Sequence, residues 1–236
     1  MLIYTNQIEN GIRSIINIPL LILSMLIDIT KYKSPFILFG NGEIPKHKIP
    51  IQKLKQSGTI ISVDGGADKL KTLGLQSHII LGDLDSLKNK KSNYDSLIIE
   101  LKNQNKSDLE KSLQWCISKG IKKLSLLGFS GKRDDHAIAS ILLLNTYSKN
   151  IELNYYSDYC KIHFLNGNKK FKSFQGQIIS ILSINSSTQI KTKGLKYALN
   201  NDILKTPTHG ISNISLGKQF SIKSSSSILI TQNYKK

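Results

Sequence analysis

Two aspartates separated by one residue are the first feature of this 236-residue sequence that could do chemistry. Asp83 and Asp85 stand in the run Gly82-Asp83-Leu84-Asp85-Ser86, directly after an apolar stretch. If the chain turns there, both carboxylates can reach one divalent ion, and such oxygen ligands suit Mg²⁺ bound together with substrate phosphates. Aspartate and serine are also common in solvated turns. The run alone therefore favours a metal site and an ordinary loop equally.

Asp108 is a further candidate carboxylate, with neutral Gln104 just upstream. Ser107 is a good N-cap residue and Glu110 is its capping-box partner, so Asp108 is predicted in the first turn of a helix. An acidic residue stabilises that end of a helix, which by itself is the simpler explanation of Asp108. The functional alternative is a third metal or substrate carboxylate, beside a Gln104 amide that can hydrogen-bond a heteroaromatic ring.

A charged loop with two glycines, residues 128–136, is the third candidate. Its sequence is Gly128-Phe129-Ser130-Gly131-Lys132-Arg133-Asp134-Asp135-His136. Glycine permits close backbone approach, and a helix start offers free N–H groups to anions. Arg133 is one of two arginines among 33 cations, which indicates a bidentate phosphate contact beside Lys132. The glycine spacing is neither a Walker loop nor a dinucleotide fingerprint, and a basic solvated loop is the alternative.

Each of these clusters, and Asp64-Gly65-Gly66-Ala67 as well, ends or follows a short apolar run typical of a buried parallel strand. The predicted strands are Phe36–Phe39, Thr59–Val63, His78–Leu81, Ser96–Leu101, Lys123–Leu127 and Ile151–Tyr156. Helices are predicted from Ser107 to Gly120 and from about Asp134 to Tyr147. The second helix should turn inward Ile138, Ile141, Leu142 and Leu144. Alternating strands and helices predict a mostly parallel α/β sheet with ligands at the carboxyl ends of its strands.

After about Asp158 the pattern becomes all-β and predicts a sandwich. The predicted strands are Lys161–Leu165, Phe171–Phe174, Gln177–Leu182, Gln189–Thr192, Ile211–Leu216, Gln219–Lys223 and Ser227–Thr231. The run Ser224–Ser227 is predicted to be a turn. The predicted organisation is thus an N-terminal extension at residues 1–34, an α/β domain at 35–157 and a β-sandwich at 158–236.

Composition narrows the class of protein. The formal net charge of +17 invites a nucleic-acid partner, but the cations are nearly all lysine in a chain crowded with Ile and Asn, so a compositional bias is the preferred explanation. Cys116 and Cys160 are too few for a disulfide scaffold or a four-cysteine zinc site, which indicates a reduced, cytoplasmic setting. The apolar run Ser14–Ile27 is shorter than the roughly 20 residues of a membrane helix and contains Pro19. No stable membrane insertion is expected.

The order of the motifs is more specific than any one of them. Asp-Gly-Gly-Ala, Gly-Asp-Leu-Asp-Ser, Gln-x-x-Ser-Asp-Leu-Glu-Lys and Gly-x-x-Gly-Lys-Arg-x-Asp-His are followed by Gly194-Leu195-Lys196-Tyr197 and Ser212-Asn213. From about Phe36 to Thr231 this series resembles the thiamine pyrophosphokinase family. The resemblance implies an α/β catalytic domain joined to a thiamine-binding β-sandwich, a homodimer, and transfer of diphosphate from ATP to the hydroxyl of thiamine with release of AMP.

The resemblance also implies roles for individual residues. Mg²⁺ would be held by Asp83, Asp85 and Asp108, which with Arg133 form the catalytic set. Thiamine would contact Gln104, Asp108, Ser212 and Asn213. ATP would contact Asp64, Gly65, Gly131, Lys132, Arg133, Asp135 and His136.

Three departures from the family pattern bear on these roles. Asn105 stands where the family has aspartate, which removes one carboxylate. Lys132 replaces a glycine of the phosphate loop. The C-terminal domain has no tryptophan, which leaves Tyr197 to stack on thiamine. The alternatives are a related diphosphokinase acting on a pterin alcohol and, in another class, a basic nucleic-acid-binding protein without catalysis.

Overall fold

A computed structural model of the chain describes residues 27–88, 93–131 and 133–235. Lys132 and nearly all of the predicted apolar run Ser14–Ile27 lie outside the described residues. Across the described ranges, no helix combines the length and the apolar character needed to cross a membrane.

The first half of the chain is a six-stranded parallel sheet with helices. Its strands are β1 (Phe36–Phe39), β2 (Thr59–Val63), β3 (Ile79–Gly82), β4 (Leu97–Glu100), β5 (Lys123–Leu127) and β6 (Glu152–Tyr156). Its helices are α1 (Lys48–Lys55), α2 (Gly66–Thr72), α3 (Asp108–Ser118) and α4 (Asp134–Tyr147). The strands lie in the order β4-β3-β2-β1-β5-β6, and all neighbours are parallel. The chain changes direction across the sheet between β1 and β5, and ligands bind at such a switch point.

The predicted strands and the helix start at Ser107 are confirmed. Strands β2 and β3 are buried at every residue, as expected where helices cover both faces of a sheet. The Ser107 hydroxyl accepts a hydrogen bond from the backbone N–H of Glu110 at 3.3 Å and caps α3. Glu110 itself accepts a hydrogen bond from the Tyr147 hydroxyl at 3.0 Å and so ties α3 to α4.

The inward face predicted for α4 is partly wrong. Leu144 is buried and Ile141 half-buried, but Ile138 and Leu142 are 59% and 50% exposed. The helix is apolar on most of its circumference, so its sequence does not define one buried face. Ile138 and Leu142 are four residues apart and form one outer strip of the helix.

The second half of the chain is β-rich and continues the same sheet, because β6 pairs antiparallel with the first strand that follows it. Its strands are β7 (Cys160–Lys172), β8 (Ile178–Ser183), β9 (Gln189–Lys193), β10 (Asn200–Ile203), β11 (Asn213–Ile214) and β12 (Gln219–Asn233). The predicted architecture, an α/β domain followed by a β domain, is confirmed.

The turn predicted at Ser224–Ser227 is wrong, because these residues lie inside β12. Pairing with β7 shifts register there: Ser224 lies opposite Gly167, and Ile228 lies opposite Leu165. Before the shift β12 also pairs with β9, and after it with β8. A bulge of this kind bends one long strand, so that its first part pairs with β9 and its last part pairs with β8. The predicted strands Gln219–Lys223 and Ser227–Thr231 are therefore one strand, β12. The predicted strand Lys161–Leu165 and the start of Phe171–Phe174 likewise belong to one strand, β7.

Candidate active site

Three carboxylates converge at one edge of the parallel sheet. Asp64 follows β2, Asp83 follows β3, and Asp108 begins α3. One oxygen of each lies within 4.8 Å of the others, a spacing at which a single cation can contact all three. The structure thus brings together Asp83 and Asp108, two of the three predicted metal ligands. The third residue of the cluster is Asp64, which was predicted to contact ATP.

The local backbone explains why Asp64, and not Asp85, joins this cluster. Asp64 has a positive φ of 49°, and a methyl group at Gly82 would lie 3.1 Å from the Asp64 Cβ, so glycine leaves room for this side chain. Leu84 also has a positive φ, 71°, and its side chain is buried. This turn leaves Asp85 exposed, with its backbone N–H donating to the Asp83 carboxylate at 3.3 Å. A metal-ligand role for Asp85 stays a prediction.

One oxygen of the buried Asp64 carboxylate lacks a hydrogen-bond partner among the described residues. The Asp64 side chain is buried, and Oδ2 accepts a 3.3 Å hydrogen bond from the Ser86 N–H, while Oδ1 is buried with no hydrogen-bond partner among the described residues. Burial raises the pKa of Asp64, and the nearby charges of Asp108 and Asp83 raise it further against the Ser86 hydrogen bond. A buried oxygen left unpartnered is costly, and a divalent cation would satisfy it. The donor set, three carboxylates, fits Mg²⁺.

A lysine enters this acidic cluster from α3. The Lys111 side chain is 5% exposed, and its ammonium lies 2.7 Å from Asp108 Oδ1 and 3.7 Å from Asp83 Oδ2. It also donates to the Leu101 carbonyl at 3.1 Å. No site role was predicted for Lys111, although it ends the motif Gln-x-x-Ser-Asp-Leu-Glu-Lys and lies three residues after Asp108, the spacing that puts two side chains on one helix face.

Two glycine loops meet at the switch point between β1 and β5. The N–H of Gly42 donates to the carbonyl of Gly128 at 2.6 Å, and the N–H of Glu43 donates to that of Ser130 at 2.8 Å. A methyl group at Gly42 would lie 2.5 Å from the Gly128 oxygen, so this approach requires glycine. Gly65 is similarly enclosed, since a methyl group there would lie 2.6 Å from the Asn41 side chain.

Arg133 and Asp135 pair with each other at the start of α4. The Arg133 Nε and a terminal nitrogen donate to the two Asp135 oxygens at 3.1 and 2.5 Å, and both side chains are well exposed. The hydrogen bond from Arg133 lowers the pKa of Asp135, and the same bond raises the pKa of Arg133. His136 is also exposed. The charged end of this loop is therefore open to a ligand.

In the β domain, Asn213 holds the Tyr197 loop in place. Its side-chain amide donates to the Tyr197 carbonyl at 2.6 Å, and its side-chain oxygen accepts from the Tyr197 N–H at 3.0 Å. Tyr197 is 59% exposed. Ser212 is exposed at a positive φ of 59°, and its N–H donates to the Ser180 hydroxyl. Asn213 is thus placed to position Tyr197, while thiamine contacts from Ser212, Asn213 and the exposed Gln104 stay predictions.

Comparison with known proteins agrees with this architecture. The protein-family model of the thiamin pyrophosphokinase catalytic domain matches residues 51–155. The family model of the thiamin pyrophosphokinase substrate-binding domain matches residues 163–231. No curated protein sequence matches significantly.

Several solved structures share the fold. Thiamine pyrophosphokinase from Bacillus subtilis is 21% identical, with a TM-score of 0.72 over 85% of this chain and 99% of that one. Thiamin pyrophosphokinase from Candida albicans is 17% identical, with a TM-score of 0.71 over 85% and 90% of the two chains. The yeast enzyme is 21% identical, with a TM-score of 0.69 over 84% and 86%. Because both domain models match in order and together cover most of the sequence, the chain belongs to the thiamin pyrophosphokinase family.

Proposed function

We propose that this protein transfers diphosphate from ATP to the hydroxyl of thiamine, giving thiamine diphosphate and AMP, with Mg²⁺ held by the acidic cluster. The observation that carries the proposal is the convergence of Asp64, Asp83 and Asp108 around a buried, unpartnered oxygen in a chain of this family. The two alternatives, a diphosphokinase acting on a pterin alcohol and a nucleic-acid-binding protein without catalysis, have no comparable support.

The chain's own residues divide the work along one edge of the sheet. The acidic cluster would hold Mg²⁺, which when bound offsets phosphate charge and polarises the bond that breaks. The cluster follows β2 and β3, whereas the Arg133 loop follows β5, and β5 and β3 are three strand spacings apart, about 14 Å. A nucleotide laid along this edge can therefore meet the cluster at one end and Arg133 at the other.

Arg133 suits phosphate because its planar fork matches two oxygens at once. In the described structure that fork is occupied by Asp135, which keeps it oriented at the start of α4. Asp64, Gly65, Gly131, Lys132, Asp135 and His136 are proposed to complete the ATP site. Gln104, Ser212 and Asn213 are proposed at thiamine, with Tyr197 as the stacking ring.

The decisive assay measures AMP release from ATP with Mg²⁺ and thiamine. We expect AMP and thiamine diphosphate in equal amounts, and none when thiamine or the metal is omitted. AMP release with a hydroxymethylpterin but not with thiamine would overturn the substrate assignment. Steeply salt-dependent DNA or RNA binding without AMP formation would instead favour the nucleic-acid alternative.

We further propose that the protein acts as a homodimer in the cytoplasm. Apolar side chains on or beside β8 and β11 support an interface, since Ile178, Ile211 and Leu216 are all more than 40% exposed. Light scattering coupled to gel filtration tests this, and a mass of one chain, 26.4 kDa, would refute it.

A further inference from the structure

Lys111 is a buried cation at a site proposed to bind another cation. Lysine is seldom buried unless its ammonium is paired. Here the ammonium donates a hydrogen bond to the Leu101 carbonyl and forms ion pairs with Asp108 at 2.7 Å and with Asp83 at 3.7 Å. These partners come from the ends of β3 and β4 and from the first turn of α3, so one ammonium ties two segments of the acidic cluster to the end of β4.

The Lys111 ammonium reduces the net negative charge of the acidic cluster. The carboxylates of Asp64, Asp83 and Asp108 carry three negative charges when ionised, and Lys111 reduces the total to two. One divalent cation then neutralises the site. Without Lys111, the metal-free site would hold three mutually repelling carboxylates, of which Asp64 is 5% exposed.

The position of the ammonium also affects metal binding. Lys111 lies 2.7 Å from an oxygen of Asp108, one of the proposed ligands. A cation bound to the same oxygen would stand within a few ångströms of the ammonium, and like charges at that separation repel strongly inside a protein. A bare metal ion must therefore compete with Lys111 for Asp108.

We propose that Lys111 is a resident counter-ion that keeps the metal-free cluster folded and makes retention of Mg²⁺ depend on the nucleotide. This inference rests on the proposed function. A metal ion that arrives alone meets the repulsion of the ammonium. A metal ion that arrives with ATP brings phosphate oxygens, which give the displaced ammonium new partners and remove the penalty. The site would thus load Mg²⁺ together with ATP.

The test measures binding of Mn²⁺, a paramagnetic substitute for Mg²⁺, to protein without nucleotide, by electron paramagnetic resonance. Lys111→Gln keeps a group that can donate to the Leu101 carbonyl but removes the charge. We expect it to bind Mn²⁺ on the order of tenfold more tightly than the unmodified protein. Lys111→Arg, which keeps the charge, should bind like the unmodified protein. Lys106→Gln is the matched control, since Lys106 pairs with Glu110 at 3.7 Å outside the cluster.

Thermal melting provides a second readout. Metal-free Lys111→Gln should melt at a lower temperature, and Mn²⁺ should raise its melting temperature more than that of the unmodified protein. A purely structural role would lower the melting temperature without changing Mn²⁺ affinity, and that pattern overturns the proposal. If Lys111→Gln does not fold, calorimetry on the unmodified protein decides. Binding of Mn²⁺ alone weaker than roughly millimolar supports the proposal, and tighter binding overturns it.

These outcomes separate this inference from the proposed function. If the unmodified protein forms thiamine diphosphate but Lys111→Gln gains no Mn²⁺ affinity, only the role of Lys111 fails. If the unmodified protein releases no AMP, the proposed function fails whatever the metal titrations give.

Discussion

His163 links the stability of the protein to pH at the junction of its two halves. It lies on β7, opposite Asn154 of β6 and Ile230 of β12, and is 7% exposed. Burial, with Lys161 nearby, lowers the pKa of His163 to about 3 from the usual 6.5. The neutral ring donates from Nε2 to the Gln232 side-chain oxygen at 2.8 Å, because the Gln232 amide nitrogen donates to the Lys172 carbonyl.

The sign and size of the effect follow from linkage. Since the pKa is lower in the folded state, the unfolded state binds more protons between pH 6.5 and 3, and the folded state loses stability as the pH falls through that range. At pH 5 the loss is about 2 kcal/mol relative to pH 7. That value scarcely changes for any folded-state pKa below about 4, because at pH 5 the folded ring then stays neutral.

Urea unfolding at pH 7 and pH 5 measures this loss, with the fluorescence of Trp115, the single tryptophan, as the probe. His163→Gln can still donate to Gln232 but has no proton to gain in this range. The free energy of unfolding should therefore fall between pH 7 and pH 5 by about 2 kcal/mol less in the variant than in the unmodified protein. The other titrating groups cancel in this comparison. Equal pH dependence in the two proteins would refute the assignment of a buried neutral His163.

Four further predictions concern the site. Asp64→Asn should lower kcat at least about 100-fold without weakening the fold in urea, because a metal ligand is lost. Asp85→Ala tests the metal role predicted for Asp85, and near-normal turnover in that variant would refute the role. Arg133→Lys should raise the KM for ATP about tenfold by removing the planar fork, and an unchanged KM would contradict a bidentate phosphate contact. Asn213→Ala should release the Tyr197 backbone, cost about 1–3 kcal/mol in urea unfolding and raise the KM for thiamine but not for ATP. A KM that rises equally for both substrates would refute that division.

The parallel half of the fold could be predicted because its sequence signals are local. Phe36–Phe39, Thr59–Val63 and Lys123–Leu127 are apolar runs bounded by small or polar residues, and β1, β2 and β5 begin and end at those residues. Strands buried on both faces need mostly apolar runs, so the pattern and the structure coincide. The helix start at Ser107 could be predicted for the same reason, since a cap depends on neighbouring residues only.

The β domain was harder to predict because its strands are longer than their apolar runs. Ser224–Ser227 resembles a turn by composition, yet it continues β12 where a bulge moves the strand from β9 to β8. Pairing with distant segments decides this, and no local pattern reports it. Strand β10 was not predicted because it has no apolar run: all of Asn200–Ile203 is exposed, and three of its four residues are polar.

The acidic cluster, too, could be predicted from the sequence only in part. The sequence pattern identified the right kind of residue at the carboxyl ends of the right strands, because topology brings those ends together. It did not identify which carboxylates meet. That depends on the positive φ of Leu84, which turns Asp85 outward, and on Gly82, which admits Asp64. Backbone geometry at two residues thus decides the membership of the cluster, and neither residue carries a functional group.

The net charge of +17 is a poor guide to partners for a related reason. Several lysines in the described structure are engaged within the fold around the site. Lys111 meets Asp108, Asp83 and a carbonyl, and Lys69 donates to the carbonyls of Asn41 and Gly42 beside the switch point. Lys71 lies 3.7 Å from the centre of the Tyr94 ring. An ammonium that meets a carboxylate or carbonyl inside the fold is not available to a polyanion. The effect of each lysine therefore depends on the group that its ammonium contacts, and a surplus of lysine is compatible with a site built for small anions and one divalent cation.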